Sequence, residues 1–142
     1  MATTQNYRSA SIEEARKLEP GAHHYRAYVG NPKVYDVTAA TQFLLMVALG
    51  LREYHSLLDI GCGKGYFLKY LHTLGYKEIR GIDPCHELVI EKMFSAIEYV
   101  SFEKNNISEN EFDFVFTCHT LHHLRNPMPI SAIKEMARIA KK

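Results

Sequence analysis

The sequence has few cysteines, no excess of charge of either sign and no long apolar run. Its three cysteines, Cys62, Cys85 and Cys118, lie far apart without a C-x-x-C pair, which predicts free thiols in a reducing compartment. Lysine plus arginine (17) nearly balance aspartate plus glutamate (16). The resulting net charge of +1 gives no electrostatic basis for binding nucleic acid or an anionic membrane.

The apolar segments are also too short for a membrane protein. The longest uninterrupted run, Phe43 to Leu49, falls far below the roughly 20 residues that cross a bilayer. The N-terminus is polar and lacks the apolar core of a signal peptide. We therefore expect a soluble, cytoplasmic chain without a membrane partner.

What the sequence does contain is a regular alternation of strand-like and helical patterns. At 142 residues and 46% hydrophobic content, it can fill the core of one domain. We divide it into an N-terminal extension (1–35), with a short helix and an aromatic segment that is either a packed connector or a cofactor lid, and a main domain (36–142). The alternation predicts an α/β fold with a doubly wound parallel sheet. The predicted elements are strands over 56–60, 78–82, 98–102 and 112–117 and helices over 37–49, 65–74, 84–94 and 130–140.

The first helix of the main domain has recognisable start and stop signals. Asp36 is predicted as its N-cap. Gly50 is predicted to end it, with Leu51 as the apolar contact that follows, and Gly75 is predicted to end the second helix. Because apolar residues surround the end of the first helix on every side, we expect that helix to be buried.

The most informative stretch is the turn after the first strand, residues 57–65 (LLDIGCGKG). Three alternate glycines let this turn adopt φ > 0 and let its backbone approach a ligand closely. Ligands of open α/β sheets bind at the carboxyl ends of the strands, which is where the turn lies. A dinucleotide fingerprint needs a further glycine where this sequence has Tyr66, so the spacing favours a different cofactor.

Two acids accompany the glycine turn. Asp83 follows the second strand about twenty residues after the glycines, the position from which a carboxylate bonds a ribose diol. Its two oxygens can accept both hydroxyl protons. The alternative for Asp83 is a solvated turn acid. For Asp59 the alternative is an acid that holds the turn by hydrogen bonds to backbone amides, a role compatible with attraction of a cationic ligand group.

A histidine-rich segment follows the fourth strand in residues 112–127 (FDFVFTCHTLHHLRNP). The spacing of His119, His122 and His123 could suit a metal. No acid or cysteine at the usual spacing completes a ligand set, so we predict no metal site. Because an imidazole titrates near neutral pH, a histidine here is alternatively a general base.

Together, the glycine turn with Asp59, the acid after the second strand and the Leu-His-His segment resemble the class I, Rossmann-like S-adenosylmethionine-dependent methyltransferases. The matching region runs from about Ser56 to Ala140. The resemblance implies S-adenosylmethionine as the cofactor and in-line attack of an acceptor atom on the sulfonium methyl group. The protein would mainly align the two reactants. The resemblance also implies a small-molecule acceptor.

The resemblance further assigns residues to the site. His119 or His122 would deprotonate the acceptor. The family places an acid or amide after the third strand, where it meets the adenine amino group, and Asn105 and Asn106 both lie near that position. The cofactor-binding residues that it implies are Asp59, Gly61, Cys62, Gly63, Gly65, Asp83, Pro84, Asn105, Asn106, Thr117 and Cys118.

The sequence departs from the family pattern after its last helix. The family core continues through a glycine-rich turn into three further strands, whereas this sequence ends at Lys142. We therefore expect an incomplete sheet of about four strands, with the fourth as an exposed edge that self-associates or needs a partner chain. The alternatives are a truncated, inactive or partner-dependent cofactor-binding module, and a Rossmann nucleotide-binding protein of another class.

Overall fold

A computed structural model describes residues 32–84, 92–100, 102–121 and 128–142. The predicted helix and aromatic segment of the N-terminal extension, Cys85 and the histidines at 122 and 123 lie outside these ranges. Within them, no helix has the length and apolar character needed to cross a bilayer. The elements in chain order are α1 (Pro32–Ala48), β1 (Leu57–Ile60), α2 (Tyr66–Thr73), β2 (Ile79–Asp83), β3 (Ile97–Tyr99), a 3-10 turn (Phe102–Lys104), β4 (Phe114–Thr117) and α3 (Met128–Ile139).

The four strands form one parallel sheet in the order β3-β2-β1-β4. Leu57 at the start of β1 lies opposite Ile79 of β2 and Phe114 of β4. Parallel neighbours need a crossover that packs on a face of the sheet, and α2 supplies the one between β1 and β2. This arrangement confirms the predicted Rossmann-like α/β fold with four strands.

The core lies on both faces of the sheet, with β1 at its centre. All four residues of β1 are buried, and alternate residues face opposite sides, as the two-residue period of a strand requires. On one side the buried cluster is Ala39, Met46, Leu51, Leu57, Phe67, Leu68, Leu71, Tyr76, Ile79 and Ile97. On the other side it is Leu58, Ile60, Ile82, Ile107, Phe112 and Ile139.

Helix α1 ends in a Schellman motif, as its sequence predicts. Gly50 has φ +102°, and its N–H donates to the carbonyl of Val47 at 3.0 Å. The N–H of Leu51 donates to the carbonyl of Met46 at 2.9 Å, and the Leu51 side chain is fully buried. Helix α2 ends in the same way at Gly75, so both predicted glycine stops are confirmed.

Two predictions for α1 are wrong. The helix begins at Pro32, so Asp36 lies inside it and is not the N-cap. Proline is tolerated in a first turn because its missing N–H would have no intrahelical partner there. The helix is also not buried all round, since it packs one face on α2 and leaves apolar side chains of the rest in contact with solvent. The exposed apolar residues are Val37, Leu44 and Leu45 within the helix and Leu49 just after it.

The other elements differ from prediction mainly at their ends. Strand β3 stops at Tyr99, and Phe102 begins a 3-10 turn where the strand was expected to continue. The helix predicted over 84–94 falls largely on residues that are not described, and 92–96 are not helical. The helix predicted over 65–74 ends at Thr73, and Leu74 just after it is 39% exposed.

Strand β4 is the outer strand next to β1 in the described part of the sheet. Its four residues are all half-buried, in contrast to the four buried residues of β1. After α3 the chain returns to this side. There Ala140 pairs in parallel with Phe112, and the Lys141 N–H donates to the Phe112 carbonyl at 2.8 Å. The sequence pattern predicted a strand over 112–117, but Phe112 precedes β4, which begins at Phe114.

Candidate cofactor site

The candidate site lies where three strands end side by side. The glycine turn (61–65) leaves β1, Asp83 ends β2 and is followed by Pro84, and residues 117–121 leave β4. Because β2 and β4 flank β1 on opposite sides, the strand order reverses at β1. Open α/β sheets form their ligand crevice at such a reversal, at the carboxyl ends of the strands.

The turn adopts the backbone that its glycines predict. The φ angles are +73° at Gly61, +56° at Gly63 and +81° at Gly65, in the left-handed region where side chains are disfavoured. A Cβ at Gly61 would overlap the side chain of Thr120, and one at Gly65 would overlap Ile97. The turn therefore requires these two glycines for its own conformation and packing, a reason that sequence interpretation did not supply.

Asp83 holds the turn from the neighbouring strand. Its Oδ2 accepts a hydrogen bond from the Gly63 N–H at 2.9 Å, and the residue is only 6% exposed. The alternative of a solvated turn acid is therefore wrong. The sequence offered Asp59 as the acid that accepts backbone amides of the turn, but at Gly63 the accepting carboxylate is Asp83. The carbonyl of Lys64 accepts a further bond from the Met93 N–H at 2.7 Å.

Asp59 is the second buried carboxyl group of the site, with 5% exposure. Burial, followed by the nearby charge of Asp83, raises the pKa of Asp59 to about 7. Both causes disfavour the ionised form, and an approaching cation would favour it. Two buried carboxyl groups thus lie on adjacent strands beside the glycine turn.

Cys62 fills space beneath the turn. A Cβ on Gly81 of β2 would lie 2.6 Å from the Cys62 Sγ and 2.6 Å from the Leu68 Cδ1, so Gly81 makes room for both side chains. Burial, with the charges of Asp59 and Asp83, raises the pKa of the Cys62 thiol well above its usual value. A protonated, packed thiol is a poor nucleophile, and the contact of Cys62 with the cofactor stays a prediction.

The loop after β4 folds against the glycine turn. The Thr117 hydroxyl donates to the Ile60 carbonyl at 2.9 Å, and the Thr120 hydroxyl lies 3.3 Å from the same oxygen. Between them, Cys118 is a half-buried free thiol, and His119 is exposed with φ +57°. The structure thus places Thr117, Cys118 and His119 beside the turn, whereas His122 is not described.

The two asparagines lie in the link between β3 and β4. The Asn105 side-chain nitrogen donates to Glu135 of α3 at 3.2 Å, and its Oδ1 accepts the Ile107 N–H at 3.1 Å. Asn106 is exposed. These bonds tie Asn105 to α3, and an adenine contact stays a prediction for both residues.

No group of three or more metal-ligating side chains with suitable geometry occurs among the residues that the structure describes. His119 is the one histidine of the predicted cluster that lies within those residues.

Residues 58–142 match the family described as methyltransferase domain, and this region contains the glycine turn, Asp83 and the loop after β4. The chain belongs to this family. Membership confirms the resemblance that the sequence motifs indicated, and it supports S-adenosylmethionine as the cofactor of the fold described above.

The curated relatives carry a more specific name. The tRNA U34 carboxymethyltransferase of Nautilia profundicola is 25% identical over 139 residues, covering 87% of this chain and 46% of the relative. A relative of the same name from Campylobacter curvus is also 25% identical, over 48% of its length. The chain therefore spans about half the length of the curated relatives that it matches.

Solved structures show the same fold. A magnesium protoporphyrin IX methyltransferase from Synechocystis, solved with bound S-adenosylmethionine, has a TM-score of 0.67 at 18% identity, over 96% of this chain and 69% of that one. A Haloferax volcanii methyltransferase in complex with the Trm112 activator has a TM-score of 0.60 at 22% identity, over 82% of this chain and 54% of that one.

Proposed function

We propose that this chain binds S-adenosylmethionine at the carboxyl ends of β1, β2 and β4 and transfers its methyl group to an acceptor. The observation that carries the proposal is the pair of buried carboxyl groups, Asp59 and Asp83, on adjacent strands beside the glycine turn. Carboxylates accept hydrogen bonds from both an ammonium group and a ribose diol. When bound, the cofactor would supply a methyl group already activated on a sulfonium.

The residues of the chain would contribute mainly by positioning. Asp83 helps to keep the turn in place by accepting the Gly63 N–H, and a carboxylate has two oxygens that can also accept ligand hydroxyl groups. Asp59, once ionised, would attract the cationic part of the ligand. His119 is exposed beside the turn, where an imidazole can take a proton from an acceptor hydroxyl or amine, and His122 remains the other candidate.

The acceptor that we propose is a small molecule. The near balance of charge in the sequence argues against strong binding of a phosphate backbone by this chain alone, since such binding rests on excess lysine and arginine. The names of the curated relatives make tRNA the alternative acceptor.

Calorimetric titration of the purified chain tests the cofactor. We expect S-adenosylmethionine and S-adenosylhomocysteine to bind and NAD to give no heat, because Tyr66 replaces the third glycine of a dinucleotide fingerprint. Binding of NAD without a response to either sulfur nucleoside would instead indicate a Rossmann protein of another class.

The acceptor is tested by incubating the chain with methyl-labelled S-adenosylmethionine and a cell extract separated into small-molecule, RNA and protein fractions. Label in the small-molecule fraction supports the proposal, and label in the RNA fraction supports the tRNA alternative. Cofactor binding without label in any fraction would favour the inactive or partner-dependent module.

A partner-dependent module is the second candidate, and the half-buried residues of β4 favour it. An outer strand with unpaired N–H and C=O groups beside apolar side chains pairs readily with another strand. Further support comes from the Haloferax volcanii methyltransferase, which was solved in complex with an activator. Under this candidate the chain on its own would self-associate and transfer methyl groups weakly.

Light scattering coupled to size-exclusion chromatography checks this expectation over a concentration series. The apparent mass should rise with concentration, and Val115→Pro in β4 should abolish the rise. The Phe114 N–H donates to Ser56 on the β1 side, so the next N–H, that of Val115, faces the outer edge, and proline removes it. Leu44→Arg is the control for association through α1, where Leu44 is 66% exposed. A monomer at every concentration that transfers methyl groups efficiently would exclude this candidate, and loss of association only in Leu44→Arg would place the contact on α1.

A further inference from the structure

One contact joins the glycine turn to the loop after β4, although the two are about sixty residues apart in the sequence. The side chain of Thr120 occupies the space where Gly61 lacks a Cβ, so that a methyl group on Gly61 would overlap three atoms of Thr120. Because Gly61 also has φ +73°, both its backbone and its contact surface are adapted to this neighbour. The contact is therefore a specific fit between the two segments.

Hydrogen bonds reinforce the fit. The Thr120 hydroxyl lies 3.3 Å from the Ile60 carbonyl and 3.2 Å from the Cys118 carbonyl, within reach of either acceptor. Thr117 donates to the same Ile60 oxygen at 2.9 Å. The hydroxyl groups of Thr117 at the end of β4 and of Thr120 in the loop thus converge on the last carbonyl of β1, immediately before the turn.

The backbone between the two threonines is strained at His119. His119 has φ +57°, in the left-handed region that residues with a Cβ rarely adopt. Such strain persists only when surrounding contacts over-determine it. Here those contacts include the Thr117 and Thr120 bonds on either side of His119.

We propose that Thr120 is a positioning residue that fixes the loop carrying His119 to the glycine turn. The turn and the loop would then respond together when a ligand occupies the carboxyl end of β1. The catalytic relevance of this link rests on the proposed function, since it gives His119 a set position relative to the bound cofactor.

The test uses Thr120→Val, which keeps the shape and removes the hydroxyl, and Thr120→Ser, which keeps the hydroxyl and removes the methyl group. Thr41→Val is the matched control, because the Thr41 hydroxyl bonds the Val37 carbonyl on the exposed side of α1 at 2.9 Å. The His119 ring signals are followed by NMR, assigned with His119→Ala, and affinity for S-adenosylhomocysteine is measured by calorimetry. Thr120→Ala replaces the valine variant if that variant does not fold.

We expect Thr120→Val to shift or broaden the His119 signals in the free protein and to weaken S-adenosylhomocysteine binding by about 3- to 10-fold, the usual effect of one lost hydrogen bond. Thr120→Ser should stay closer to the parent protein in both measurements. The control Thr41→Val should match the parent protein. Unchanged His119 signals and affinity in Thr120→Val would overturn the proposal. If the parent protein fails to bind the nucleoside, the proposed function fails, and the His119 signals alone decide the role of Thr120.

Discussion

Asp83→Ala is expected to weaken binding of S-adenosylhomocysteine by about 1–3 kcal/mol, which is roughly 5- to 150-fold in the dissociation constant. Two losses contribute. The variant loses an acceptor for ligand hydroxyl groups, and it leaves the Gly63 N–H without the partner that now holds the turn at 2.9 Å. Because Asp83 is buried, the free protein should also lose stability, in contrast to what a solvated strand-end acid would show.

Asp83→Asn separates these two contributions. The amide oxygen can still accept from Gly63, so thermal stability should stay closer to the parent value while ligand affinity falls with the lost charge. Glu98→Gln is the matched control, since Glu98 is a half-exposed carboxylate on the adjacent strand β3 and pairs with Arg80. The assignment would be wrong if calorimetry gave the same affinity for Asp83→Ala as for the parent protein.

The stability of the free protein is expected to fall as pH rises from about 4 to about 7, through the contribution of Asp59. Its pKa is raised to about 7 in the folded state from an ordinary value of 3.8, so the folded chain holds a proton that the unfolded chain releases. This contribution is greatest below the unfolded pKa and is lost as pH approaches the folded pKa. At neutral pH and above, the destabilisation amounts to at most about 4 kcal/mol.

Thermal unfolding of Asp59→Asn across this pH range measures the effect. The asparagine variant should gain stability over the parent protein as pH rises, with little difference near pH 4. For the cofactor the dependence is reversed, because ionised Asp59 attracts a cation. Affinity for S-adenosylmethionine should therefore increase from pH 6 to pH 8 in the parent protein and stay flat in Asp59→Asn. Parallel stability curves for the two proteins would contradict the assignment.

Local sequence signals were sufficient to predict much of the fold. A glycine that ends a helix, such as Gly50 or Gly75, acts through its own backbone and needs no information from distant residues. Alternation of apolar strands with helices restricts the sheet to a parallel arrangement. The positive φ values of the glycine turn likewise follow from the residues present, and so does the position of Asp83 at the end of β2.

Burial and contacts between distant elements could not be predicted in this way. The apolar pattern of α1 does not indicate which side meets another element, and only α2 and the sheet decide that Met46 is buried and Leu44 is exposed. Asp36 has the character of an N-cap, yet the helix begins at Pro32. The fit between Gly61 and Thr120 joins the turn after β1 to the loop after β4, and no periodicity or spacing in a single sequence indicates it.

The unequal burial of β1 and β4 has a consequence for how the two halves of the site fluctuate. The glycine turn and Asp59 belong to a strand that is paired on both sides and buried throughout. Local opening draws on segments with few buried contacts, so this strand should be among the last to exchange its amide hydrogens. The loop with His119 leaves β4, whose residues are half-buried and which has only one full neighbour in the described sheet. The proposed cofactor half of the site thus rests on a strand that should open rarely. The loop proposed to meet the acceptor leaves a strand that should open more easily, and the Thr117 and Thr120 contacts hold that loop to β1.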